Sequence, residues 1–325
     1  MTYRILSFCG GGIRGLLSAI MLQRLQASTG VKLADQADLI VGTSTGSWIT
    51  ALLTAGYGPA DIVSFYNPLM AAAMSVKQTS PTKPEYGGGL IDKVLQTLPI
   101  FGIFGKPLNE LGRTIMVASF EIGAEGIPWT PQLIHNFPNS PTSNMSLLDA
   151  VHCSGAMPGM LAPAAITLNG QPKRFVDGAF MHHDPTIAAI ALAVANGAAL
   201  EDISVLDFGT GFMANYITAD VSTWGSQQWM NGDGQTDGVL PPLLVNVTNP
   251  GPPIFNMLLN GTSTNLMPDL AGMMLGGRFA YLNPDFGGAY VAEDDVSTTA
   301  LKFLSDTANA FSLSAAETVV NSYWS

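Results

Sequence analysis

The 325-residue sequence predicts an α/β fold with a mainly parallel central sheet and helices packed on it. Two observations carry this prediction. Residues 4–8 and 39–41 are short apolar runs typical of buried parallel strands. Each run ends in a glycine-containing turn that leads directly into a helical pattern, at residues 16–25 and 47–53. A strand followed at once by a helix is the repeating unit of a parallel sheet.

The length of the chain fits one large α/β domain or two modest ones. With 47% hydrophobic and 11% charged residues, the chain has enough apolar surface to bury a large core. No internal repeat or low-complexity linker is visible, and we expect a single domain over 1–325, with its core at about 3–211. Residues 212–325 are expected to form a cap-like or lid-like region and additional C-terminal helices.

The charge balance and the cysteines exclude some classes of protein. The net charge of −11, from 13 Lys+Arg and 24 Asp+Glu, would repel nucleic-acid phosphates, so no nucleic-acid partner is expected. Cys9 and Cys153 form no disulfide framework and are expected to be free thiols. No signal peptide is visible, and no apolar stretch reaches the roughly 20 residues that a membrane span needs. The default expectation is a cytoplasmic protein, with signal-independent secretion as the alternative.

The second glycine turn, Gly-Thr-Ser-Thr-Gly at residues 42–46, is typical of a nucleophile elbow. Such a turn holds its serine in a strained conformation in front of a helix N-terminus. Gly42 and Gly46 would let the strand and the helix approach closely enough. Ser44 is therefore the candidate nucleophile. The alternative is a chance match, because the chain contains 35 glycines.

The first glycine turn, at residues 10–15, is predicted to bind an anion. Its backbone N–H groups converge at the positive end of the following helix. In one interpretation, the amides of Gly10, Gly11 and Gly12 form an oxyanion hole. Arg14 would then hold the loop in shape by hydrogen bonds to carbonyl groups; otherwise it is a solvated charge at the start of the helix.

A dinucleotide site is the alternative interpretation of the same turn. Gly10, Gly12 and Gly15 satisfy the G-x-G-x-x-G fingerprint, with Asp35 or Asp38 near the position of a ribose-binding acid. That acid normally ends the second strand, whereas these aspartates precede it. The order of the residues therefore favours the oxyanion hole.

Asp177 is the candidate general base. It ends the second strand of a predicted hairpin, whose strands at 164–168 and 173–176 flank an Asn-Gly turn. Gly178 follows it, and a glycine is expected where a turn has no space for a side chain. The alternative is an ordinary Asp-Gly turn. A Ser-His-Asp triad in α/β-hydrolase order needs a histidine late in the chain, but the last one is His183, so a Ser-Asp dyad is the simpler mechanism.

The remaining elements are less regular. Further strands are predicted at 114–120, 132–137 and 203–208, and helices at 146–153, 185–195, 253–260, 297–311 and 315–323. Residues 56–110, in which prolines interrupt short helical pieces, are predicted to form an excursion over the sheet. Most Met and Trp residues between 212 and 294 are expected in the core (Trp224, Trp229, Met230, Met257, Met267, Met273 and Met274). In the alternative, part of this region is an apolar lid for acyl chains.

Taken together, these motifs resemble those of the patatin-like phospholipase family. The resemblance is carried by Gly-Gly-Gly-Ile-Arg-Gly at 10–15, Gly-Thr-Ser-Thr-Gly at 42–46 and Asp-Gly-Ala at 177–179. Weaker similarity lies at 119–121, 154–163 and 206–211. The resemblance covers about residues 3–211.

This resemblance implies a three-layer α/β/α fold and calcium-independent hydrolysis of lipid acyl esters through an acyl-enzyme. Ser44 would be the nucleophile and Asp177 the base that later activates water. No cofactor or metal is implied, and the partner would be a lipid or acyl ester, with transient contact to a membrane surface. Two other functions stay open: a dinucleotide-binding oxidoreductase, and a lipid-binding effector whose hydrolysis needs an activator.

The sequence departs from the family pattern at two places. Cys9 stands where the family often has Asp, which we expect to change loop packing more than chemistry. His-His-Asp-Pro at 182–185 replaces the usual Asn-x-Pro. We expect a structural or solvated role for His182 and His183, with a functional histidine as the alternative.

Overall fold

A computed structural model describes residues 2–66, 82–86, 101–123, 126, 128–213, 220–231, 253–261 and 266–325. The strands are β1 Tyr3–Phe8, β2 Leu39–Thr43, β3 Ile115–Glu121, β4 Thr130–His135, β5 Ala164–Leu168, β6 Gln171–Asp177, β7 Ile203–Phe208 and β8 Phe279–Leu282. Helices α1 to α6 are Gly15–Thr29, Leu33–Gln36, Thr45–Thr54, Pro59–Phe65, Leu147–Gly155 and Ala179–His182. Helices α7 to α12 are Thr186–Ala195, Ser226–Asn231, Pro253–Gly261, Leu266–Leu275, Thr298–Ala310 and Ser314–Tyr323. Much of the predicted excursion at 56–110, and of the cap, lies outside the described residues.

One eight-stranded mixed sheet organises the described chain. Its order is β5-β6-β3-β2-β1-β7-β8, with β4 paired to β3. The five strands from β3 to β8 in that order run parallel, whereas β4 and β6 each pair antiparallel with β3, and β5 pairs antiparallel with β6. The predicted α/β class and the hairpin that ends at Asp177 are confirmed. Because β1 and β2 are adjacent and parallel, the two glycine turns at their carboxyl ends lie side by side.

Hydrophobic clusters lie on opposite faces of the sheet. Leu6 and Phe8 belong to the larger cluster, which includes α1, α3, α5, α11 and α12. Ile5 belongs to the smaller cluster, which includes α7 and α10. Alternate residues of a strand point to opposite faces, so β1 contributes to both cores. The result is the predicted three-layer arrangement with C-terminal helices.

Strand β8 was not predicted, and it extends the sheet beyond the core expected at 3–211. It pairs parallel with β7, from Val205 opposite Phe279 to Phe208 opposite Leu282. Only four residues long and preceded by Gly-Gly-Arg, it is too short to show a clear period. The C-terminal end is also part of the core: Trp324 is fully buried, and its Nε1 donates to Ser204 Oγ at 3.0 Å.

The expectation that most Met residues of this region lie in the core is wrong. Met230, Met257, Met273 and Met274 are all exposed, Met273 by 81%. Their helices α8, α9 and α10 are short, and α8 has no buried residue, so apolar composition alone did not reveal which side chains are buried. Among the described helices, none is both long and apolar enough to cross a membrane.

Candidate active site

Ser44 occupies a strained elbow between β2 and α3. Its φ of 53° and ψ of −120° are rarely adopted by a residue with a side chain. A methyl carbon on Gly42 would lie 2.2 Å from the carbonyl oxygen of Gly46, and one on Gly46 would lie 2.1 Å from that of Phe8. Only glycine therefore fits at either position. This close packing holds the Ser44 side chain at the carboxyl end of the sheet.

The backbone of Ser44 is fixed on both sides. Its N–H donates to Ser154 Oγ at 2.9 Å, and its carbonyl accepts from Ser47 Oγ at 2.6 Å. Ser154 lies at the C-terminal end of α5, so this helix and the elbow helix α3 meet at the nucleophile candidate. The Ser44 residue is 8% exposed. The elbow is a rigid and nearly closed site.

Asp177 ends β6 and faces the elbow. Its Oδ1 accepts from the Ala179 N–H at 2.8 Å, and its own N–H donates to the Ala156 carbonyl at 3.0 Å. A methyl carbon on Gly178 would lie 2.4 Å from the carbonyl of Ala118 on the neighbouring strand. The glycine after Asp177 is thus required by the close approach of β3.

Burial raises the pKa of Asp177 to about 7; the hydroxyl of Ser44 and the amide of Ala179 act against this rise, and the charge of Glu293 adds to it. The carboxyl group is fully buried. Its Oδ2 has no hydrogen bond of normal length within the described chain. A carboxylate that is desolvated, close to Ser44 and unpaired at one oxygen is a stronger base than an exposed one.

The glycine loop after β1 presents two free amides. The Gly10 N–H donates to the carbonyl of His183 at 2.9 Å, so it is committed to the loop itself. Gly11 and Gly12, with φ of 141° and 58°, donate their amides to no acceptor in the described chain. Two unpaired N–H groups in one turn beside Ser44 form a ready site for an anion.

A distant segment of the chain fixes the loop from behind. Arg14 is buried; its Nη1 donates to the Val291 carbonyl at 2.9 Å and its Nη2 pairs with Glu293 Oε1 at 3.2 Å. The Ile13 N–H donates to the Glu293 carbonyl at 2.8 Å. Arg14 therefore does donate to a carbonyl, and the alternative of a solvated charge is wrong.

Thr210 and Tyr66 also hold the loop. Thr210 Oγ1 donates to the Gly10 carbonyl at 2.5 Å. A methyl carbon on Gly15 would lie 2.2 Å from the Tyr66 hydroxyl oxygen, so α1 begins in close contact with this ring. Neither Thr210, Tyr66, Glu293 nor Ser154 was singled out from the sequence. Thr210 and Ser154 lie in the weakly similar segments; Glu293 and Tyr66 lie in irregular stretches that carried no signal.

The acids required by the dinucleotide interpretation do not lie at the carboxyl end of the sheet, where the glycine loop is. Asp38 Oδ2 accepts from the Arg4 N–H at 2.8 Å, which places it beside the start of β1. Asp35 pairs with Arg113 at 2.6 Å. The glycine loop follows the end of β1, so neither carboxylate is placed like a ribose-binding acid.

A buried acidic cluster behind the loop was not expected from the sequence. Cys9 Sγ and one carboxylate oxygen each of Asp184 and Asp207 lie within 4.8 Å of one another, and all three residues are buried. Burial raises the pKa of both carboxyl groups, that of Asp184 to about 6, and the charge of Asp184 raises the pKa of Asp207 further. Raised pKa values in two neighbouring buried carboxyl groups favour a state in which the pair holds one proton. Cys9 and Cys153 are free and buried, as expected.

The two histidines after Asp177 differ. His182 is half-buried, and its carbonyl accepts from Thr43 Oγ1 at 2.6 Å. His183 is 7% exposed, so a solvated role is wrong for it. Burial, reinforced by the charge of Arg14, lowers the pKa of His183 to about 3. The imidazole of His183 is therefore neutral at neutral pH.

The fold and the site define a class: three-layer α/β/α proteins with a serine elbow beside a glycine loop and a buried aspartate. The model of the patatin-like phospholipase family matches residues 6–190. The chain belongs to the patatin-like phospholipase family. The expected resemblance and fold class are thereby confirmed, and membership of this family supports a lipid hydrolase function.

Similar proteins span a wide range of organisms. The chain is 29% identical over 265 residues to "Putative sporulation hydrolase CotR" of Bacillus subtilis (79% of this chain, 75% of that protein). It is 27% identical over 264 residues to "Probable inactive patatin-3-Kuras 1" of Solanum tuberosum (70% and 68%). The crystal structure of VipD from Legionella pneumophila is similar with a TM-score of 0.46 and 12% identity, over 99% of this chain and 67% of VipD.

Proposed function

We propose that this protein is a lipid acyl hydrolase of the phospholipase A or esterase type, acting through a Ser44–Asp177 dyad. The observation that carries the proposal is the buried carboxyl group of Asp177 beside Ser44, with its pKa raised by burial to about 7. A base with a pKa near neutral pH combines a sufficient ionised fraction with a strong tendency to take a proton. It is matched to deprotonating a hydroxyl group.

The reaction has two steps. Ser44 Oγ attacks the ester carbonyl while Asp177 takes its proton; collapse of the tetrahedral intermediate breaks the C–O bond, and Asp177 returns the proton to the leaving alcohol. Water then attacks the acyl-enzyme. Asp177 takes a proton from this water. When the C–O bond to Ser44 breaks, Asp177 returns that proton to Ser44 Oγ, which releases the acid and restores the Ser44 hydroxyl.

The tetrahedral oxyanion would be held by the amides of Gly11 and Gly12. Both are unpaired in the described chain, whereas the Gly10 amide, included in the predicted oxyanion hole, already donates to His183. We therefore assign Gly10 to the support of the loop, together with Arg14 and Gly15. Each oxyanion donor of this kind contributes about 10²–10³ in rate.

An apolar groove supports a lipid acyl chain as substrate. It is lined by α5, by β5 and by the segment between them, together with Trp48 of α3; Ala156, Leu161 and Ile166 are among its residues. Two of its lining residues are neighbours of the dyad: the Ala156 carbonyl accepts the Asp177 amide, and Trp48 lies one helical turn after Ser44. An apolar groove next to the nucleophile candidate supports an extended acyl chain as the substrate.

The other elements of the proposal follow from this chemistry. The dyad and the amides supply base, nucleophile and oxyanion donors, so the mechanism calls for neither cofactor nor calcium. Exposed Met side chains on α9 and α10 are suited to transient contact with a lipid surface. We propose one domain over 1–325, in which the residues after 211 contribute both structural support and surface.

Labelling with a fluorophosphonate ester tests the proposal. Wild type, Ser44→Ala and Asp177→Asn are compared for labelling and for p-nitrophenol release from short and long acyl esters in chelator. We expect labelling and turnover in wild type alone. A fully active Ser44→Ala protein would overturn the dyad, whereas activity that appears only with an added activator would favour the effector function.

A further inference from the structure

We propose that His183 is a further catalytic residue: its side chain donates a hydrogen bond to the oxyanion that the Gly11 and Gly12 amides also bind. This inference rests on the proposed hydrolase function and deepens it. It starts from the position of the imidazole. A methyl carbon on Gly10 would lie 3.3 Å from His183 Nε2 and 3.4 Å from Ser44 Cβ. The ring nitrogen and the nucleophile candidate therefore border the same small space above the glycine loop.

The backbone holds the ring in that place. The His183 carbonyl accepts the Gly10 N–H at 2.9 Å, which joins the segment after Asp177 to the glycine loop. The next residue, Asp184, is fully buried, and its Oδ1 accepts the N–H of Thr186, the first residue of α7, at 2.8 Å. With its backbone fixed on both sides, the imidazole needs little reorganisation during a reaction.

The neutral state suits a donor and not a general base. Burial and the charge of Arg14 lower the pKa of His183 to about 3. A neutral imidazole carries one N–H, which can polarise a carbonyl group without transferring its proton. Nδ1 is buried and has no partner in the described chain. Because unpaired buried N–H groups are rarer than unpaired acceptors, we place the proton on Nε2, towards Ser44.

This geometry gives a chemical role to the second histidine of His-His-Asp-Pro at 182–185, which departs from the family pattern. Sequence reasoning favoured a structural or solvated role for the histidine pair. His183 instead places Nε2 beside the nucleophile candidate, whereas the His182 carbonyl accepts a hydrogen bond from Thr43 Oγ1. The two neighbouring histidines therefore provide a matched comparison.

The test compares His183→Phe, which keeps an aromatic ring but loses the N–H, with His183→Gln, which keeps a donor. His182→Phe and His182→Gln are the matched controls. For ester hydrolysis we expect His183→Phe to lower kcat by about 10² with KM nearly unchanged. His183→Gln should recover part of this loss, and both controls should stay near wild type.

Binding of inhibitors separates an oxyanion contact from a structural one. An alkyl trifluoromethyl ketone forms a serine adduct whose oxyanion occupies the proposed site, whereas an ether of the same chain length forms none. In His183→Phe we expect the affinity for the ketone to fall in parallel with kcat and the affinity for the ether to stay unchanged. If His183→Phe does not fold, His183→Leu is measured with the same expectations.

Two results would overturn the inference alone: wild-type kcat in His183→Phe, or equal losses for ketone and ether without recovery in His183→Gln. Failure of the proposed function looks different. A folded wild type that neither hydrolyses esters nor is labelled at Ser44 overturns the hydrolase and, with it, the role of His183.

Discussion

Arg14 and Glu293 form an ion pair of 3.2 Å although they are 279 positions apart in the chain. Glu293 thereby joins the glycine loop to a segment near the C-terminal helices. Its charge also raises the pKa of Asp177. One carboxylate thus both supports the loop and acts on the proposed base.

The pKa of Asp177 predicts the pH dependence of hydrolysis. Asp177 must be ionised to accept the Ser44 proton, and burial raises its pKa to about 7. We expect kcat/KM of wild type to rise with pH up to an apparent pKa near 7 and then to level off. A pH–rate profile with a non-ionisable ester measures this. An acid limb near pH 4 would mean that the base is not a buried carboxyl group.

Replacing Glu293 should move that acid limb. In Glu293→Gln the negative charge that raises the pKa of Asp177 is lost, so Asp177 ionises at lower pH and the acid limb shifts to lower pH. The profile of Asp306→Asn is the control, because this carboxylate lies on the exposed surface and pairs with Lys302. An unshifted limb in Glu293→Gln would contradict the proposed coupling.

The sequence predicted the elements whose residues are close together in the chain. Ser44 with its two glycines, and Asp177 at the end of a hairpin, each lie in one strand-turn segment, so local patterns were sufficient. The pairing of the two segments as a dyad followed from the lack of a histidine late in the chain and from the family resemblance, not from periodicity. The structure adds their contact and its electrostatic effect.

Long-range contacts could not be predicted in this way. The role of Glu293, the proximity of Asp184 to Asp207 and the pairing of strand β8 all depend on which segments the fold brings together. The glycine loop shows the same limit: the sequence offered three amides, but only the fold reveals that the Gly10 amide is used by His183. A pattern lists possible donors, whereas the fold decides which stay free.

Stability should depend on pH through the same carboxyl group. Because the pKa of Asp177 is raised in the folded state, the protonated carboxyl group is the more stable form there. Its contribution to the free energy of unfolding is fully present below about pH 4 and is lost as the pH rises through 7. Asp177→Asn removes this penalty while keeping the Oδ1 acceptor for Ala179. At pH 8 we expect a gain of at most about 4 kcal/mol in the free energy of unfolding, and almost none at pH 4. Urea unfolding at both pH values measures it; an equal effect at the two would contradict the burial of an ionisable group.

The elbow should tolerate no added methyl group. In Gly46→Ala the new carbon would lie 2.1 Å from the Phe8 carbonyl oxygen, so β1 and α3 must move apart. We expect a loss of about 3 kcal/mol in the free energy of unfolding and of nearly all activity. Gly112→Ala is the matched control, since nothing lies within 4 Å of its added carbon. Thermal unfolding of both variants checks this, and a Gly46→Ala protein as stable as the control would contradict the packing of the elbow.

Narrowing the apolar groove should select against long acyl chains. Ile166 lines the groove, whereas the next residue of β5, Thr167, is exposed and does not line it. Ile166→Trp therefore adds bulk inside the groove, whereas Thr167→Trp adds the same bulk at a residue outside its lining. For Ile166→Trp we expect kcat/KM on long-chain esters to fall by about tenfold or more, with short-chain esters nearly unaffected. A ratio of long-chain to short-chain kcat/KM that stays equal in the two Trp variants would place the acyl chain elsewhere, because both carry the same added bulk on the same strand and only one of them carries it in the groove.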